Sequence, residues 1–338
     1  MIKVTDVGSG WKSVPWDAVF ARRIVGDRLF LRSALIRKEL LPLYAGSHMP
    51  LTYQKGWQDE ALNPSGRDYD DGWVVKPTDS SNANGVAFAA TVEEAWALVD
   101  AESRCYVIQR VVRSYLIDGH KFHARALLLL VGDLDGYVYD DARLLLAPLA
   151  AEEDDDHARI TNRSFNKNHP LYDPDSHNRS LCDAADLDGV LRQIRTVVAA
   201  LCSALADHGD ACKRQRSEDD EKTPRLKRHF LALENTWELF GLDFMVDAGG
   251  TVVLLEANPE PSMDMWPNGV NSKADVLRGK CPVTDGVPRT AEDDARPGFT
   301  QVYSKRLARV LRTARARRRS AADNTVPPPP PSATVLGK

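Results

Sequence analysis

The sequence predicts an α+β protein with mixed, largely antiparallel sheets flanked by helices. Strand-like apolar segments follow one another between residues 73 and 139, and a single helical segment separates the first two of them. Alternating apolar residues on both sides of Gly249-Gly250 predict a β-hairpin. Apolar residues at helical spacing from Asp186 to about His208 predict a long helix that packs on the core.

Length and composition predict a globular protein of one or two domains. The 338 residues suffice for one large or two medium domains, and the net charge of -4 averages acidic and basic segments that lie apart. The five cysteines form no CxxC pair and no signal peptide opens the chain, so we expect a reducing, cytoplasmic setting. No apolar run reaches the roughly 18 residues that a membrane span needs, so we expect no membrane partner.

The first part of the chain, residues 1–70, has too few predicted elements for a full domain. We interpret it as a reduced or truncated N-terminal lobe with one helix around Leu29 to Tyr44. Thr91 and Glu94 have the spacing of a capping box, which starts a further helix. The predicted strands on either side of that helix are Trp73 to Val75, Arg104 to Val112, Lys121 to Val131 and Gly136 to Tyr139.

The remaining chain divides into a core and an extension. Residues 71–265 contain the predicted sheets, and within them residues 213–229 form a charged, flexible insertion without periodicity. Residues 266–338 form an extension with a basic helix and a disordered proline-rich tail. The basic run from Lys305 to Arg319 suits acidic protein tails or nucleic acid, or it is simply solvated. Pro327 to Pro331 suit an SH3-type groove, or they form a spacer.

The hairpin carries the clearest candidate metal site. If Gly249-Gly250 is a two-residue loop, counting outward places Asp243 opposite Glu256, with Asn258 on the same side. Facing carboxylates repel each other unless a positive group lies between them. Two carboxylates and an amide oxygen suit Mg²⁺, which takes its other ligands from water and phosphates. The alternative is that these are ordinary solvent-facing strand residues.

A candidate phosphate loop follows the first strand. Lys76 ends that strand, and Pro77 and small polar residues lead to Gly85, so backbone amides could approach phosphate oxygens. No GxxxxGK[ST] or GxGxxG motif is present. A solvated lysine beside a polar turn is the alternative.

Three nitrogen-bearing side chains share one face of the third strand. Lys121, His123 and Arg125 alternate with apolar residues, so they face either water or a polar cleft. The apolar continuation of the strand favours the cleft. His123 could act as an acid or base, or be a hydrogen-bonded structural histidine.

Three further polar residues are weaker candidates for a functional site. Gln109 ends the apolar run YVIQ, where the chain could meet an adenine edge, although any buried glutamine looks the same. Thr161 and Asn162 follow a charged loop and could be only a turn.

Together these segments resemble the tubulin tyrosine ligase-like family, whose members have an ATP-grasp fold. The resemblance covers roughly residues 70 to 265, with a shorter match in SALIRKELLPLY at Ser33 to Tyr44. The matching segments are WVVKP with the loop to Gly85, YVIQ, LIDGHKFHAR, ITN, WELFGLDFMVD and LLEANPEP.

The resemblance implies a function and a role for each candidate residue. Family members use ATP and Mg²⁺ to phosphorylate a protein carboxylate, tubulin being the usual substrate, and a free amino acid then displaces the phosphate. The implied phosphate and nucleotide ligands are Lys76, Gly85, Gln109, Lys121, Thr161 and Asn162. The implied metal ligands are Asp243, Glu256 and Asn258, and the implied catalytic residues are Arg125, Lys121 and His123. An association with the cytoskeleton would follow.

The sequence departs from the family at three places. Most tubulin-modifying members have aspartate where this chain has His123, glycine where it has Ala83, and an arginine near Leu145. A divergent branch in fungi and plants, in part tied to RNA granules, shares the KFH triplet. A non-catalytic nucleotide-binding or RNA-granule scaffold is therefore the alternative to a ligase.

Overall fold

A computed structural model describes residues 3–4, 11–54, 61–63, 72–80, 82–100, 105–217, 227–266 and 298–310. The strands are β1 Lys3–Val4, β2 Ile24–Val25, β3 Thr52–Gln54, β4 Trp73–Pro77, β5 Ala87–Ala89, β6 Tyr106–Arg110, β7 Phe122–Val131, β8 Asp135–Leu146, β9 Asn178–Ser180, β10 Trp237–Val246, β11 Val252–Asn258 and β12 Phe299–Ser304. The helices are α1 Trp16–Phe20, α2 Ser33–Ile36, α3 Leu41–Ala45, α4 Val92–Asp100, α5 Asp156–Arg159, α6 Arg163–Asn166 and α7 Val190–Ser217.

The larger sheet has six strands in the order β11-β10-β7-β8-β12, with β9 paired to β8. All of these pairings are antiparallel. Strand β7 lies at its centre and is buried from Phe122 to Leu130, because both of its faces are covered. The prediction of an α+β protein with largely antiparallel sheets is confirmed.

The smaller sheet has four antiparallel strands in the order β3-β6-β4-β5. Helix α4 packs on it through Ala95 and Val99, which join Val75 and Ile108 in a separate apolar cluster. The predicted capping box is present, since Glu94 N–H donates to the Thr91 hydroxyl at 3.2 Å and the Glu94 carboxylate accepts from backbone N–H groups.

Helix α7 packs on the larger sheet and is longer than predicted. It runs from Val190 to Ser217 and so includes the start of the predicted insertion, residues 213–229. Residues 218–226 lie outside the described residues. By length and composition Ala185–Lys213 is apolar enough to cross a membrane. In this structure its apolar side chains, Ile194 and Leu201 among them, belong to the core cluster beneath the sheet.

The single helix predicted around Leu29 to Tyr44 is wrong. The chain instead forms α2 and α3, with an extended Arg37 between them. In one continuous helix Pro42 could not donate a hydrogen bond to the carbonyl of Lys38, and its ring would clash with that carbonyl. The break leaves Lys38 in a turn, where its side chain reaches the smaller sheet.

The C-terminal extension contributes an edge strand to the larger sheet. Strand β12 pairs with β8, and residues 305–310 form a helical turn. Lys305 is buried and donates to Asp133 at 2.8 Å, while Arg309 pairs with Asp210 at 3.3 Å. These two members of the predicted basic run therefore bind acidic residues of the protein itself. The rest of the run and the proline-rich tail lie outside the described residues.

Candidate functional site

The hairpin of β10 and β11 places Asp243 directly opposite Glu256. Its loop has three residues rather than the predicted two, because Asp247 N–H donates to Thr251 O at 2.8 Å and thereby pairs these residues. A β-bulge between Asp243 and Phe244 adds Leu255 to β11 and restores the predicted pairing. The predicted alignment of the two carboxylates therefore occurs, although the predicted loop is wrong.

Arg125, Asp243 and Glu256 form a row across three neighbouring strands. Arg125 on β7 is opposite Asp243, which is opposite Glu256. Directly opposite residues on antiparallel strands project from the same face. Arg125 binds Asp243 through two hydrogen bonds, from Nε to Oδ1 and from Nη2 to Oδ2 at 2.8 Å. The Asn258 amide donates to Asp243 Oδ2 at 3.3 Å and to Glu256 Oε1 at 3.2 Å.

Arg125 compensates the charge of Asp243 from within the protein. Burial alone would lower the pKa of Arg125, but the charge and hydrogen bonds of Asp243 outweigh it and hold the pKa above its ordinary value. The Asn258 amide adds hydrogen bonds to both carboxylates but no charge, so the repulsion between Asp243 and Glu256 is relieved only in part. The cation between them stays a prediction.

The donor set nevertheless fits a magnesium ion. Asp243 and Glu256 offer the hard carboxylate oxygens that Mg²⁺ prefers, and Asn258 would offer its side-chain oxygen after its amide, whose NH₂ group here faces both carboxylates, turns over. Each carboxylate oxygen can accept two bonds, so the bonds from Arg125 leave acceptor capacity on Asp243. Glu256 is only partly buried and borders the cavities described below. Among the described residues no group of three or more His, Cys, Asp and Glu forms a metal cluster.

Lys76 lies in β4, within the wall between the two sheets. Its Nζ donates to Gln109 Oε1 at 2.8 Å, and Gln109 Nε2 donates to the Thr52 hydroxyl at 3.0 Å. Burial lowers the pKa of Lys76 to about 8, although Glu256 raises it in part. The structure thus joins two predicted residues, Lys76 and Gln109, in one buried polar chain.

The loop after β4 has the backbone of a glycine-rich turn. Asn82, Ala83 and Gly85 all have positive φ, at 57°, 61° and 73°. At Gly85 an added Cβ would lie 3.0 Å from Pro77 Cγ. The positive φ and this close contact therefore both favour glycine at this position. Ala83 adopts the left-handed conformation that glycine adopts more easily. Alanine at position 83, where the family usually has glycine, therefore still allows the left-handed turn to form.

Lys38 contacts this loop, although the sequence did not single it out as a site residue. Its Nζ donates to the carbonyls of Pro77, at 3.0 Å, and Ser80. Burial lowers its pKa, against the opposing charge of Glu256. The segment SALIRKELLPLY contained the signal, but Lys38 was assigned to a continuous helix there.

His123 is buried between Thr161 and Asp243. Its Nδ1 is 2.7 Å from the Thr161 hydroxyl, and its Nε2 is 3.6 Å from Asp243 Oδ1. Burial and the charge of Arg125 lower the pKa of His123 to about 3, so the imidazole is neutral. Its buried Nε2 has no hydrogen-bond partner among the described residues and lines a cavity, which leaves it available to a ligand.

Asn162 is the N-cap residue of the neighbouring helix α6. Its side-chain oxygen accepts from the backbone N–H groups of Ser164 and Phe165, which caps α6. This bond fixes Asn162 beside Thr161 at the edge of the site.

Two adjoining cavities meet at this site. The first, of about 170 Å³, lies between the two sheets, and the second, of about 470 Å³, lies beyond the phosphate loop. Predicted residues that line the first cavity are Lys76, Gln109, Lys121, His123, Thr161, Asn162, Asp243 and Glu256. Arg125 and Asn258 line the second, and Asn162 and Glu256 line both. The structure therefore brings the predicted residues to one place, with Gly85 in the adjacent loop.

The chain is similar to known proteins of one family. The model of the tubulin-tyrosine ligase family matches residues 32–274. A probable tubulin–tyrosine ligase of Schizosaccharomyces pombe is 24% identical, over 56% of this chain and 51% of the relative. The tubulin polyglutamylase ttll-5 of Caenorhabditis elegans is 26% identical, over 56% of this chain and 27% of the relative. The probable tubulin–tyrosine ligase PBY1 of Saccharomyces cerevisiae is 21% identical, over 68% of this chain and 36% of the relative.

A solved structure supports the same fold. The C-terminal domain of Pby1 from K. lactis, described as an ATP-grasp enzyme interacting with the mRNA decapping enzyme Dcp2, superposes with a TM-score of 0.55 at 19% identity. The match covers 87% of this chain and 86% of that domain, and it shows the ATP-grasp fold. The chain spans about half or less of the length of the curated relatives it matches. Since the family model covers well over half of its residues, the chain belongs to the tubulin-tyrosine ligase family.

Proposed function

We propose that this protein is an ATP- and Mg²⁺-dependent ligase that joins an amino acid to a protein carboxylate through an acyl phosphate. The observation that carries the proposal is the row of Arg125, Asp243 and Glu256 at the junction of two adjoining cavities. A ligase of this kind must bring a nucleotide and an acceptor together at one phosphoryl group.

The first cavity suits the nucleotide. Val74, Phe88 and Met245 give it apolar walls, which suit a base, and Lys76 and Lys121 place cationic groups among its lining residues. Gln109 orients the ammonium group of Lys76 through a direct hydrogen bond. We assign phosphate binding to the two lysines and to the backbone of the loop before Gly85.

Asp243, Glu256 and Asn258 would hold the magnesium ion. When bound, the ion would neutralise charge on the phosphates. Arg125 fixes the Asp243 carboxylate in one orientation, and the Asn258 amide does the same for Glu256. The two carboxylates are therefore positioned before Mg²⁺ or a nucleotide binds, which reduces the cost of binding.

Arg125 and His123 have different roles in this proposal. Arg125 lines the second cavity and supplies a permanent positive charge where an acceptor carboxylate would enter. His123 is neutral, so we assign it a positioning role: it holds Thr161 and offers Nε2 as a hydrogen-bonding group to the ligand.

The second cavity suits the acceptor and the amino acid. Tubulin is the proposed acceptor because relatives are named for activity on tubulin. A free amino acid and a protein with an acidic tail are then the partners, in the cytoplasm and beside the cytoskeleton.

A nucleotide-binding scaffold is the second candidate, and one observation favours it. Ala83 holds a left-handed conformation in the candidate phosphate loop, at φ 61°, where the ligases of the family have a glycine that adopts it without cost. The Pby1 domain with this fold interacts with a decapping enzyme, so a partner from mRNA decay is the corresponding proposal.

One experiment separates the two candidates. The purified full chain is mixed with Mg-ATP, tubulin and each labelled amino acid in turn, and nucleotide binding, ADP release and labelling are measured together. Labelling with stoichiometric ADP release supports the ligase. Nucleotide binding without ADP release or labelling, with any acceptor offered, supports the scaffold, and failure to bind ATP refutes both.

A further inference from the structure

Four aromatic side chains form a patch on the N-terminal part of the protein, away from both cavities. This aromatic patch consists of Trp11, Trp16, Phe20 and Phe30. The rings of Trp16 and Phe20 lie 5.1 Å and 4.8 Å from that of Phe30, in edge-to-face contact. Trp11 and Trp16 are 5.3 Å apart. All four are partly or largely exposed, and Phe20 is 49% exposed. Clustered exposed aromatics of this kind mark binding surfaces.

The patch also contains a hydrogen-bond donor without an acceptor. Trp11 Nε1 donates to the carbonyl of Leu29 at 3.1 Å. Trp16 Nε1 is shielded from solvent and has no partner among the described residues. This nitrogen is out of reach of a ligand while the Trp16 ring keeps its position, so the patch offers a ligand the exposed parts of its four rings. The ligand should therefore present apolar ridges.

A polyproline segment has this chemistry. Polyproline favours the left-handed PPII helix, in which no carbonyl is used internally and the rings form apolar ridges. Aromatic-lined surfaces bind such segments at low entropic cost, because the helix is already formed. The chain itself carries one at Pro327–Pro331.

A series of contacts links the start of the C-terminal helical turn to the patch. Lys305 is bonded to Asp133, and the adjacent Gly132 N–H donates to Thr236 O at 2.8 Å. Asn235 in turn donates to the carbonyl of Val19 in α1 at 2.8 Å. A short series of direct contacts thus connects the start of the C-terminal helical turn to the helix that carries Trp16 and Phe20.

The intervening chain is long enough. Residues 311–326 separate the last described residue from the first of the five prolines, which is 16 residues. Fully extended they span roughly 53–58 Å, and as a flexible coil roughly 20–24 Å. The prolines can therefore reach α1 without any rearrangement of the sheets.

We propose that Pro327–Pro331 dock on the aromatic patch of the same chain, with the proline rings packed on its exposed aromatic surfaces. The linkage makes the contact intramolecular, with an effective concentration of about 1 mM. A Kd of about 0.1 mM then keeps roughly nine chains in ten docked. The proposal is independent of the ligase reaction.

Photocrosslinking of the full chain tests this contact. The photoreactive residue p-benzoylphenylalanine replaces Phe20 in one protein and Leu43 in another. Leu43 is a matched control because it is also apolar and is 51% exposed, but lies in α3. Crosslinked peptides are identified by mass spectrometry, and monomeric and dimeric products are separated first. A second pair of proteins carries Pro→Ser at positions 327–331.

The expected result is an intramolecular crosslink from position 20 to the peptide that contains residues 327–331, several-fold stronger than from position 43. Serine at the five positions should reduce it several-fold, and hydrogen exchange in residues 11–30 should become faster in that variant. Crosslinks from position 20 to residues 1–10, to a second copy, or to no tail peptide would each overturn the proposal. Equal yields from the proline and serine proteins would do so as well.

Discussion

Replacing Asp243 with asparagine should destabilise the protein as well as weaken nucleotide binding. The Arg125 and Asp243 side chains are only 9% and 6% exposed, so solvent screens their pairing little. Removing the charge of one partner leaves the Arg125 guanidinium buried without compensation, which typically costs 3–5 kcal/mol. Asparagine keeps one oxygen acceptor for Arg125, so we expect a loss of about 3 kcal/mol in the free energy of unfolding.

Glu256→Gln is the matched control, because it removes a carboxylate from the same proposed metal site. Glu256 is partly exposed and its hydrogen bond comes from the Asn258 amide, so glutamine can keep that contact. We expect a loss of less than about 1 kcal/mol. Both variants should weaken Mg-ATP binding, since each removes a ligand charge.

Urea unfolding and nucleotide titration of both variants provide the measurements. Asp243→Asn should also lower the Tm by roughly 4–5 °C. The double variant Arg125→Gln, Asp243→Asn should be less destabilised than the sum of the two single variants, since no charge is left uncompensated. If Asp243→Asn unfolds at the wild-type urea concentration, or Glu256→Gln is equally destabilised, the assigned role of the buried pair is wrong. If both bind Mg-ATP as tightly as the wild type, the metal assignment is wrong.

Further predictions concern the phosphate loop and its neighbours. Ala83→Gly should stabilise the protein by up to about 1 kcal/mol, because glycine relieves the left-handed strain, and Gly85→Ala should destabilise it by about 1–3 kcal/mol, both measured by urea unfolding. The folded-state pKa of Lys76 is about 8, below its value in the unfolded chain, so the unfolded state binds more protons between about pH 8 and 10.5. Stability should therefore gain from rising pH in that window, and Lys76→Met should remove this gain; an unchanged slope would contradict the burial of Lys76. Thr161→Val leaves the Nδ1 of His123 buried without its partner and should cost about 1–3 kcal/mol, whereas Thr161→Ser, which keeps the hydroxyl, should cost less. Equal losses in the valine and serine variants would refute that hydrogen bond.

Sequence patterns predicted the centre of the site well. The pairing of Asp243 with Glu256 followed from counting outward from the glycine pair, although two errors cancelled in that count. The loop has one residue more than expected because the Asp247 carboxylate accepts from the N–H groups of Gly249 and Thr251. The bulge at Leu255 adds one residue to the other strand, and no local residue type marks it.

Other parts of the fold depended on contacts that the sequence does not display. The strand predicted from Gly136 to Tyr139 continues, as β8, to Leu146, because β7 and β9 pair with it on both sides. The short strands β3, β5 and β9 have three residues each and are too brief to show a period. Lys38 was missed because its role depends on a helix break and on carbonyls of a distant loop.

The neutral state of His123 also required the structure. An alternating strand pattern placed Lys121, His123 and Arg125 on one face, and the cavity linings agree for all three. The depth of burial and the distance to Arg125 decide the protonation state, and neither can be obtained from periodicity.

The bulged residue Leu255 also affects the connection between the first and the second cavity. Its side chain borders both the first and the second cavity, whereas the pairing of Asp243 with Glu256 would survive its deletion. The size of the side chain at position 255 can therefore change while the two carboxylates stay in register. A smaller residue there should enlarge the space that the two cavities share, and a larger one should reduce it.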